Sequence, residues 1–465
     1  MSKYIVGLDI GTTKIACFIG ERAENGKIRI VGFGKTESVG VERGIVRNIR
    51  STAESIKKAV EEASVMAKYD VTDVYVGIAG QHIKSRSNQG SIMIPDGHRQ
   101  IEREDVNRLI DDQYRIMLEP GEEIIHVFPQ SYSVDNEALA ADIDPVGVAG
   151  RTLMANFHIV TGNTANLRNI RDAVEDAGYH IKGVVLEPIA SAYAVLDNGE
   201  KAAGVALVDI GGGTTDIAIF QEGIIRHTSV LPLAGNVITN DIRENCKILK
   251  HQAESLKVKF GSCLTTSVNQ DDIIAIPGIR NQAPREISVR TLAGIIKARM
   301  QTILEQVAYE IQLSGFERQL IAGVVLTGGG ARMKSIKDLC EYTTGIDSRI
   351  GTPDEHLDKQ GSVNFEDFSH PMYATGIGLV IYGLIETELA ARNEEKVEVV
   401  EKKAEELVEE PEEPVEDIIE KQDTPVKKEK KKKEKKPRNP EDKRSFGQVI
   451  NDFLTKLFTE EGLEE

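Results

Sequence analysis

No apolar run in the chain approaches the roughly 20 residues that span a bilayer, so no transmembrane helix is expected. The N-terminus enters an apolar strand pattern at once, without a basic region or cleavage site, and no secretory signal is expected. Cysteines number only four (Cys17, Cys246, Cys263 and Cys340), with no C-x-x-C. That spacing suits a reduced cytosol better than a disulfide framework or a zinc site. Positive charge is also short, with 57 Lys and Arg against 74 Asp and Glu and a net charge of −17. Nucleic acid is therefore not expected as a partner. What the chain does have is length: 465 residues at 40% apolar content can bury more than one core.

The stretch that organises the rest is Asp209-Ile210-Gly211-Gly212-Gly213-Thr214-Thr215-Asp216, set between the apolar runs 205–208 and 217–220. It reads as strand, glycine turn, strand. Glycines in a tight turn let the backbone approach an anion, and successive amides can point at phosphate oxygens. Asp209, at a strand end, could hold Mg²⁺ through water, because that ion prefers oxygen ligands and keeps several waters. A glycine-rich hairpin without any ligand is the alternative. The same device occurs at Asp9-Ile10-Gly11-Thr12-Thr13-Lys14, between apolar strands. A third turn, Thr327-Gly328-Gly329-Gly330-Ala331-Arg332-Met333, follows the β-branched run at 324–326 and leads toward a helix starting near Met333. The first two copies predict two similar half-domains facing each other across a cleft. The spacing matches neither the Walker pattern nor the dinucleotide fingerprint.

With these three turns the sequence resembles the actin-like ATPase superfamily, in which the first two bind the triphosphate and the third the adenosine. The segments 41–49 (VERGIVRNI), 78–85 (IAGQHIKS) and 186–193 (LEPIASAY) narrow the resemblance to the bacterial cell-division family FtsA, over residues 4 to 390. The resemblance implies ATP and Mg²⁺ as ligands. It also implies an α/β actin-like fold: two half-domains around a nucleotide cleft, an inserted α+β subdomain, and a disordered tail ending in an amphipathic helix. Subdomain 1A would comprise 1–84 with 163–195 and 371–392, and subdomain 1C would comprise 85–162. Subdomain 2A would be 196–242 with 314–370, and 2B would be 243–313. A charged linker would fill 393–443, and a membrane-targeting helix 444–465.

Along the chain, residues 51–68 show a helical apolar face and 73–78 a short strand. In 85–162, strands are expected at 91–95, 126–134 and 151–161, with a polar helix over 102–118 and a turn at 144–147. No phosphate-like turn occurs there. In the family this place holds subdomain 1C, which receives later division proteins; a purely structural insertion is the alternative. A helix over 163–178 and a strand over 181–186 precede Glu187-Pro188, where the proline fits the first turn of a new helix. Glu187 is either a helix-start carboxylate favoured by the dipole or, by its place in the family, the carboxylate that polarises the attacking water.

Gly235 opens the next helix and is read as a second close approach to phosphate. Glu254 and Lys257 share one helix face; the family places them at ribose and base, and a surface i,i+3 ion pair is the alternative. Residues 291–313 form a long amphipathic helix, with Lys297 and Arg299 off its buried stripe. Helices of 2B receive the C-terminal tail of the tubulin-like protein FtsZ in this family, and these two residues are carried over to that role. A small-residue helix at 370–380 mirrors the one after Glu187 and is expected to pack against it as a hinge.

The folded core is expected to end near Arg392. Residues 394–423 hold 14 acidic and 4 basic residues with two prolines and no aromatics, a composition of disorder. Residues 427–438 then hold 9 basic and 2 acidic residues, a net of +7. Beyond them, Phe446, Val449, Ile450, Phe453, Leu454, Leu457 and Phe458 make a helical apolar stripe. Beside a basic run, such a stripe points to an anionic membrane surface.

The expected function is that of a nucleotide-dependent division adaptor that polymerises with copies of itself. It would tether the FtsZ ring to the cytoplasmic face of the membrane, with weak ATPase activity serving as a switch. An actin-like pilus-assembly adaptor, or a soluble ATPase or chaperone of the same superfamily, is the other reading.

Overall fold

A computed structural model describes residues 4–95, 99–140, 143–277, 284–359, 361–362 and 365–406. Two five-stranded sheets carry the same plan. In the first, Ile5–Ile10 pairs antiparallel with Lys14–Arg22 and parallel with Asp73–Ile78. In the second, Val205–Ile210 pairs antiparallel with Thr215–Gln221 and parallel with Val324–Thr327. Outer strands complete each sheet, Ile28–Glu37 and His180–Leu186 in the first, Ile224–Leu231 and Ser348–Ile350 in the second. The two glycine turns thus sit at equivalent hairpin bends.

Apart from Asp9 and Asp209 near their ends, the central strands Ile5–Ile10 and Val205–Ile210 are apolar, because both faces are covered. Along Val205–Ile210 the faces alternate: Val205 and Leu207 join the core of the first half, while Ala206, Val208 and Ile210 join that of the second. A third, smaller core belongs to the insertion, around Val106, Leu109, Leu153 and Phe157. There, Lys84–Met93, Thr152–Asn163, Glu122–Val134 and Glu137–Ala138 form one antiparallel sheet backed by the helix Arg103–Gln113.

Helix ends follow local chemistry. Asn48 caps Ile49–Ala67 by accepting from the Ser51 amide, and Asn163 caps Thr164–Asp176 in the same way. Glu187 is the first residue of the helix Glu187–Val195, with Leu186 at the N-cap and Pro188 in the first turn. That helix packs against Ala374–Glu406, the longest helix described, as expected. The packing is so close that a Cβ on Gly378 would lie 1.8 Å from the Ala190 carbonyl oxygen.

Several expectations are corrected. The strand placed at 91–95 occupies Lys84–Met93, pairing residue by residue with 152–161. The helix placed at 102–118 stops at Gln113, ahead of Pro120 and Gly121, and a long strand starts at Glu122. After the third turn a 3₁₀ segment, Gly329–Arg332, intervenes, and the helix Ile336–Thr344 begins only after Ser335 in the left-handed region at φ 59°. Pro371–Ala391 is, against expectation, long and apolar enough to cross a membrane. It is nonetheless a core helix, 67% of its apolar window being buried, with Ile377, Val380 and Tyr382 fully enclosed. Its helix also runs on to Glu406, past the expected end near Arg392, through residues rich in the good helix formers Glu and Lys. The basic run and the apolar stripe at 446–458 lie outside the described residues.

Candidate functional site

The three turns converge on one cleft between the halves, with about 670 Å³ of empty space. Its lining includes Asp9, Gly11, Thr12, Thr13 and Lys14 from the first turn. The second turn supplies Asp209, Gly211, Gly212, Gly213, Thr214 and Asp216, and the third Gly328 and Gly329. Glu187, Gly44, Ala79, Met372 and Thr375 complete the wall. The first two turns touch. A Cβ on Gly212 would fall 2.4 Å from the Thr13 methyl, and one on Gly213 would fall 2.3 Å from Thr12 Oγ1. Glycine at these positions keeps a narrow backbone-lined cradle open. Thr12 is held from behind by the Gly44 amide, 3.0 Å from its hydroxyl.

Charge in the cleft is one-sided: four carboxyls, of Asp9, Asp209, Asp216 and Glu187, face one ammonium, Lys14. Lys14 Nζ lies 2.9 Å from Asp9 Oδ2. Burial alone would lower the Lys14 ammonium, but Asp9 and Asp209 outweigh it and raise it. Asp209 and Asp216 are direct cross-strand partners, so their carboxyls share one face. Burial pushes Asp216 well above the carboxylate range and the Asp209 charge adds to the effect, while the Thr214 hydroxyl, 2.9 Å away, opposes it. Asp209 is raised by burial too, offset by a hydrogen bond from Ser191. Glu187 is raised by burial and then by Asp9, Asp216 and Asp209, with Lys14 opposing.

Four carboxyls gathered around a single ammonium fit a cation, which would favour their ionised forms. The buried Asp216 Oδ1 has no hydrogen-bond partner within the protein, which fits as well. Among the described residues no three of His, Cys, Asp or Glu gather into a direct protein cage. Mg²⁺ takes one or two carboxylates with water and phosphate oxygens, and the aspartates at the two turns are donors of that kind.

The remaining expected site residues stand around this cleft rather than in its lining. Thr215 is fully buried, its hydroxyl donating to the Leu233 carbonyl at 2.7 Å. Gly235 and Asn236 donate their amides to the carbonyls of Gly211 and Gly212 at 3.1 and 2.8 Å, tying a helix start to the second turn. Lys257 Nζ donates to the Gly235 carbonyl at 3.0 Å and pairs with Glu254 at 2.8 Å, so the ion pair considered above is present. In the third turn, a Cβ on Gly330 would overlap Ile210, and Arg332 points to the Met372 sulfur at 3.2 Å. Met333 packs toward Gly261 at the end of Lys250–Phe260. Farther away, Arg299 makes a two-pronged ion pair with Asp241, at 2.5 and 3.1 Å, and Lys297 is half-buried on the same helix.

Ser191, Thr375, Met372, Gly44 and Ala79 were not singled out from sequence. All five lie in segments read above, but what brings them together is the packing of distant helices and turns, which no local pattern shows. His126 is another. Its Nε2 accepts from the Leu186 amide at 3.2 Å, immediately before Glu187, and burial holds the ring neutral by pushing its pKa down to about 4. The inserted sheet thereby touches the start of the Glu187 helix.

Paired hairpins around one shared cleft, with two closely packed helices beside it, define an actin-like ATPase fold. A chain of the PilM–PilN type IV pilus biogenesis complex shares it, with a TM-score of 0.60 at 15% identity over 82% of this chain and 98% of that one. The family model for Hsp70 protein matches residues 163–229, which hold Glu187 and the second hairpin. The model for cell division protein FtsA matches residues 206–378, and that for the SHS2 domain inserted in FtsA matches 80–161. Cell division protein FtsA of Pseudomonas aeruginosa is 38% identical over 382 residues, 82% of this chain and 89% of its own length. That of Escherichia coli K12 is 33% identical over 388 residues, 82% and 90%. The chain belongs to the FtsA family of cell-division proteins.

Proposed function

We propose that this protein binds ATP with Mg²⁺ in the cleft and uses nucleotide occupancy as a switch for assembly with copies of itself. In that reading the first two turns hold the triphosphate, and Asp9 and Asp209 hold Mg²⁺ through water. Gly235 shapes the second turn from behind. The third turn, with Arg332 and Met333, faces the nucleoside, and Glu254 and Lys257 border it. Mg²⁺ would neutralise phosphate charge and activate the terminal phosphoryl group. Glu187 orients the attacking water. Burial and the neighbouring aspartates raise its pKa, and a cation in the cleft would offset them and favour the ionised form that can accept a proton. The observation that carries the proposal is the set of four carboxyls around one ammonium between two glycine turns. Titration calorimetry tests it: Asp209→Ala and Gly212→Val should each weaken MgATP binding at least about tenfold, the first by losing a charged anchor and the second by filling the cradle. Unchanged affinity in both would overturn it.

Membership of the family supports the rest of the function. The protein tethers the FtsZ ring to the cytoplasmic face of the cell membrane at the division site, and the SHS2 insertion receives later division proteins. The FtsZ C-terminal tail docks on the subdomain that carries Lys297 and Arg299; because Arg299 is paired with Asp241, it would have to exchange that carboxylate for one on the peptide. The apolar stripe from Phe446 to Phe458 enters an anionic lipid surface. Co-sedimentation with liposomes and FtsZ, with and without ATP, checks these contacts together.

A further inference from the structure

The hinge carries a polar contact that the phosphate turns do not explain. Asp209 Oδ2 accepts hydrogen bonds from Ser191 Oγ at 2.7 Å and from Thr375 Oγ1 at 3.2 Å. Ser191 comes from the helix Glu187–Val195 and Thr375 from the first turn of Ala374–Glu406, the two crossing helices of the first half. Asp209 comes from the second. The two hydroxyls are also 3.0 Å apart, and none of the three residues is more than 8% exposed.

Two hydroxyls bring two protons to three contacts, so with Asp209 ionised only two of those contacts can be filled at once. Bonds to a charged acceptor are the stronger, so both protons belong on Oδ2 and the hydroxyl–hydroxyl contact goes without. The other oxygen, Oδ1, is turned to the third turn, where a Cβ on Gly328 would fall 2.2 Å from it. One end of the carboxylate is therefore gripped by the hinge, and the other is presented beside the third turn at the cleft wall.

We infer that Ser191 and Thr375 are positioning residues for the metal anchor. They fix the orientation of Asp209 before nucleotide arrives, and through it they latch both hinge helices to the second half. This rests on the cleft reading above. Fixing a carboxylate in advance removes an ordering cost from metal binding, so the hydroxyls affect the Mg²⁺-dependent part of nucleotide affinity and leave the rest. They also hold the hinge closed without nucleotide.

The test is calorimetry on the full chain, with MgATP and with ATP in EDTA. Ser191→Ala and Thr375→Val, the second nearly isosteric, should weaken MgATP binding roughly tenfold, the scale of one hydrogen bond to a charged group, and weaken metal-free ATP binding far less. Thr375→Ser, which restores the hydroxyl, should recover most of the loss. In nucleotide-free protein, amide exchange in the two hinge helices should quicken in the alanine and valine variants. Equal losses with and without Mg²⁺ would mean a merely structural role and would overturn the inference, as would no loss at all. If Asp209→Ala itself left MgATP affinity unchanged, the cleft reading would be the one to fail.

Discussion

Asp216 shows how one register decides a titration. It stands directly across from Asp209 in a buried hairpin, whereas the equivalent partner of Asp9 in the first half is Ala16. Burial, and then the Asp209 charge, raise Asp216 to about 8, against an unfolded value near 3.9. The folded protein thus holds a proton that the unfolded chain has lost, so this group's contribution to stability is full below about pH 4 and drains away as pH rises toward 8. In nucleotide-free protein, Asp216→Asn should therefore grow more stable relative to the parent as pH rises from about 5 to 9. A melting-temperature difference that did not change with pH would refute the assignment. Glu187→Gln keeps the shape and removes the charge. Turnover of bound ATP should fall at least about tenfold while affinity holds, as for the loss of a group acting on the reacting water; single-turnover hydrolysis measures this, and unchanged turnover would leave Glu187 a helix-start residue. At this scale the sequence was legible where chemistry is contiguous. Asp9 to Lys14 and Asp209 to Asp216 each spell out strand, acid and turn. Ser191 and Thr375 were not legible, because two hydroxyls 184 positions apart meet only through the crossing of their helices.

Elements were legible to the degree that their burial is one-sided. The helix Val289–Ser314 shows its stripe plainly: Leu292, Ile296, Ile303, Leu304, Val307 and Ile311 are buried as the pattern requires, and Ile295, of the same stripe, is half-buried. The strand Lys84–Met93 was misplaced, since its Lys-Ser-Arg-Ser-Asn-Gln start is polar and its pairing with Thr152–Asn163 is long-range. The stretch Pro371–Ala391 shows a different limit: it is long and apolar enough to cross a membrane, and only its packing shows it to be core. That packing can be tested at Gly378. Alanine is a better helix former than glycine by about 1 kcal/mol. A methyl there, however, would lie 1.8 Å from a backbone carbonyl that cannot swing aside. Overpacking of this kind costs about 3 kcal/mol, so sterics should win and Gly378→Ala should lower the melting temperature. A rise instead would contradict the close crossing of the hinge helices.

At the scale of the whole molecule, the proposed function gives the cleft and the chain beyond residue 406 separate tasks, and separate changes should reach them. The hinge helix that begins beside the cleft at Ala374 runs without a break to Glu406, and the chain beyond it leads into the net +7 run and the apolar stripe. Seven apolar side chains partly inserted into a bilayer interface at about 1 kcal/mol each give several kcal/mol before the cost of ordering the helix is subtracted. The basic run adds attraction of about 1 kcal/mol per charge close to anionic lipid, weakened by salt. One chain would then bind reversibly, and a filament of chains would bind tightly through avidity. Deleting residues 445–465 should abolish flotation with anionic liposomes while leaving the MgATP affinity of the cleft as it was. Phe453→Glu, at the centre of the stripe, should have nearly the same effect, since it removes an apolar anchor and drives a carboxylate toward the acyl region. Raising salt, or replacing anionic with neutral lipid, should weaken the intact protein in graded fashion. Flotation of the deleted chain as strong as that of the full chain would sink the tether, and the stripe would then belong in the groove of a partner protein.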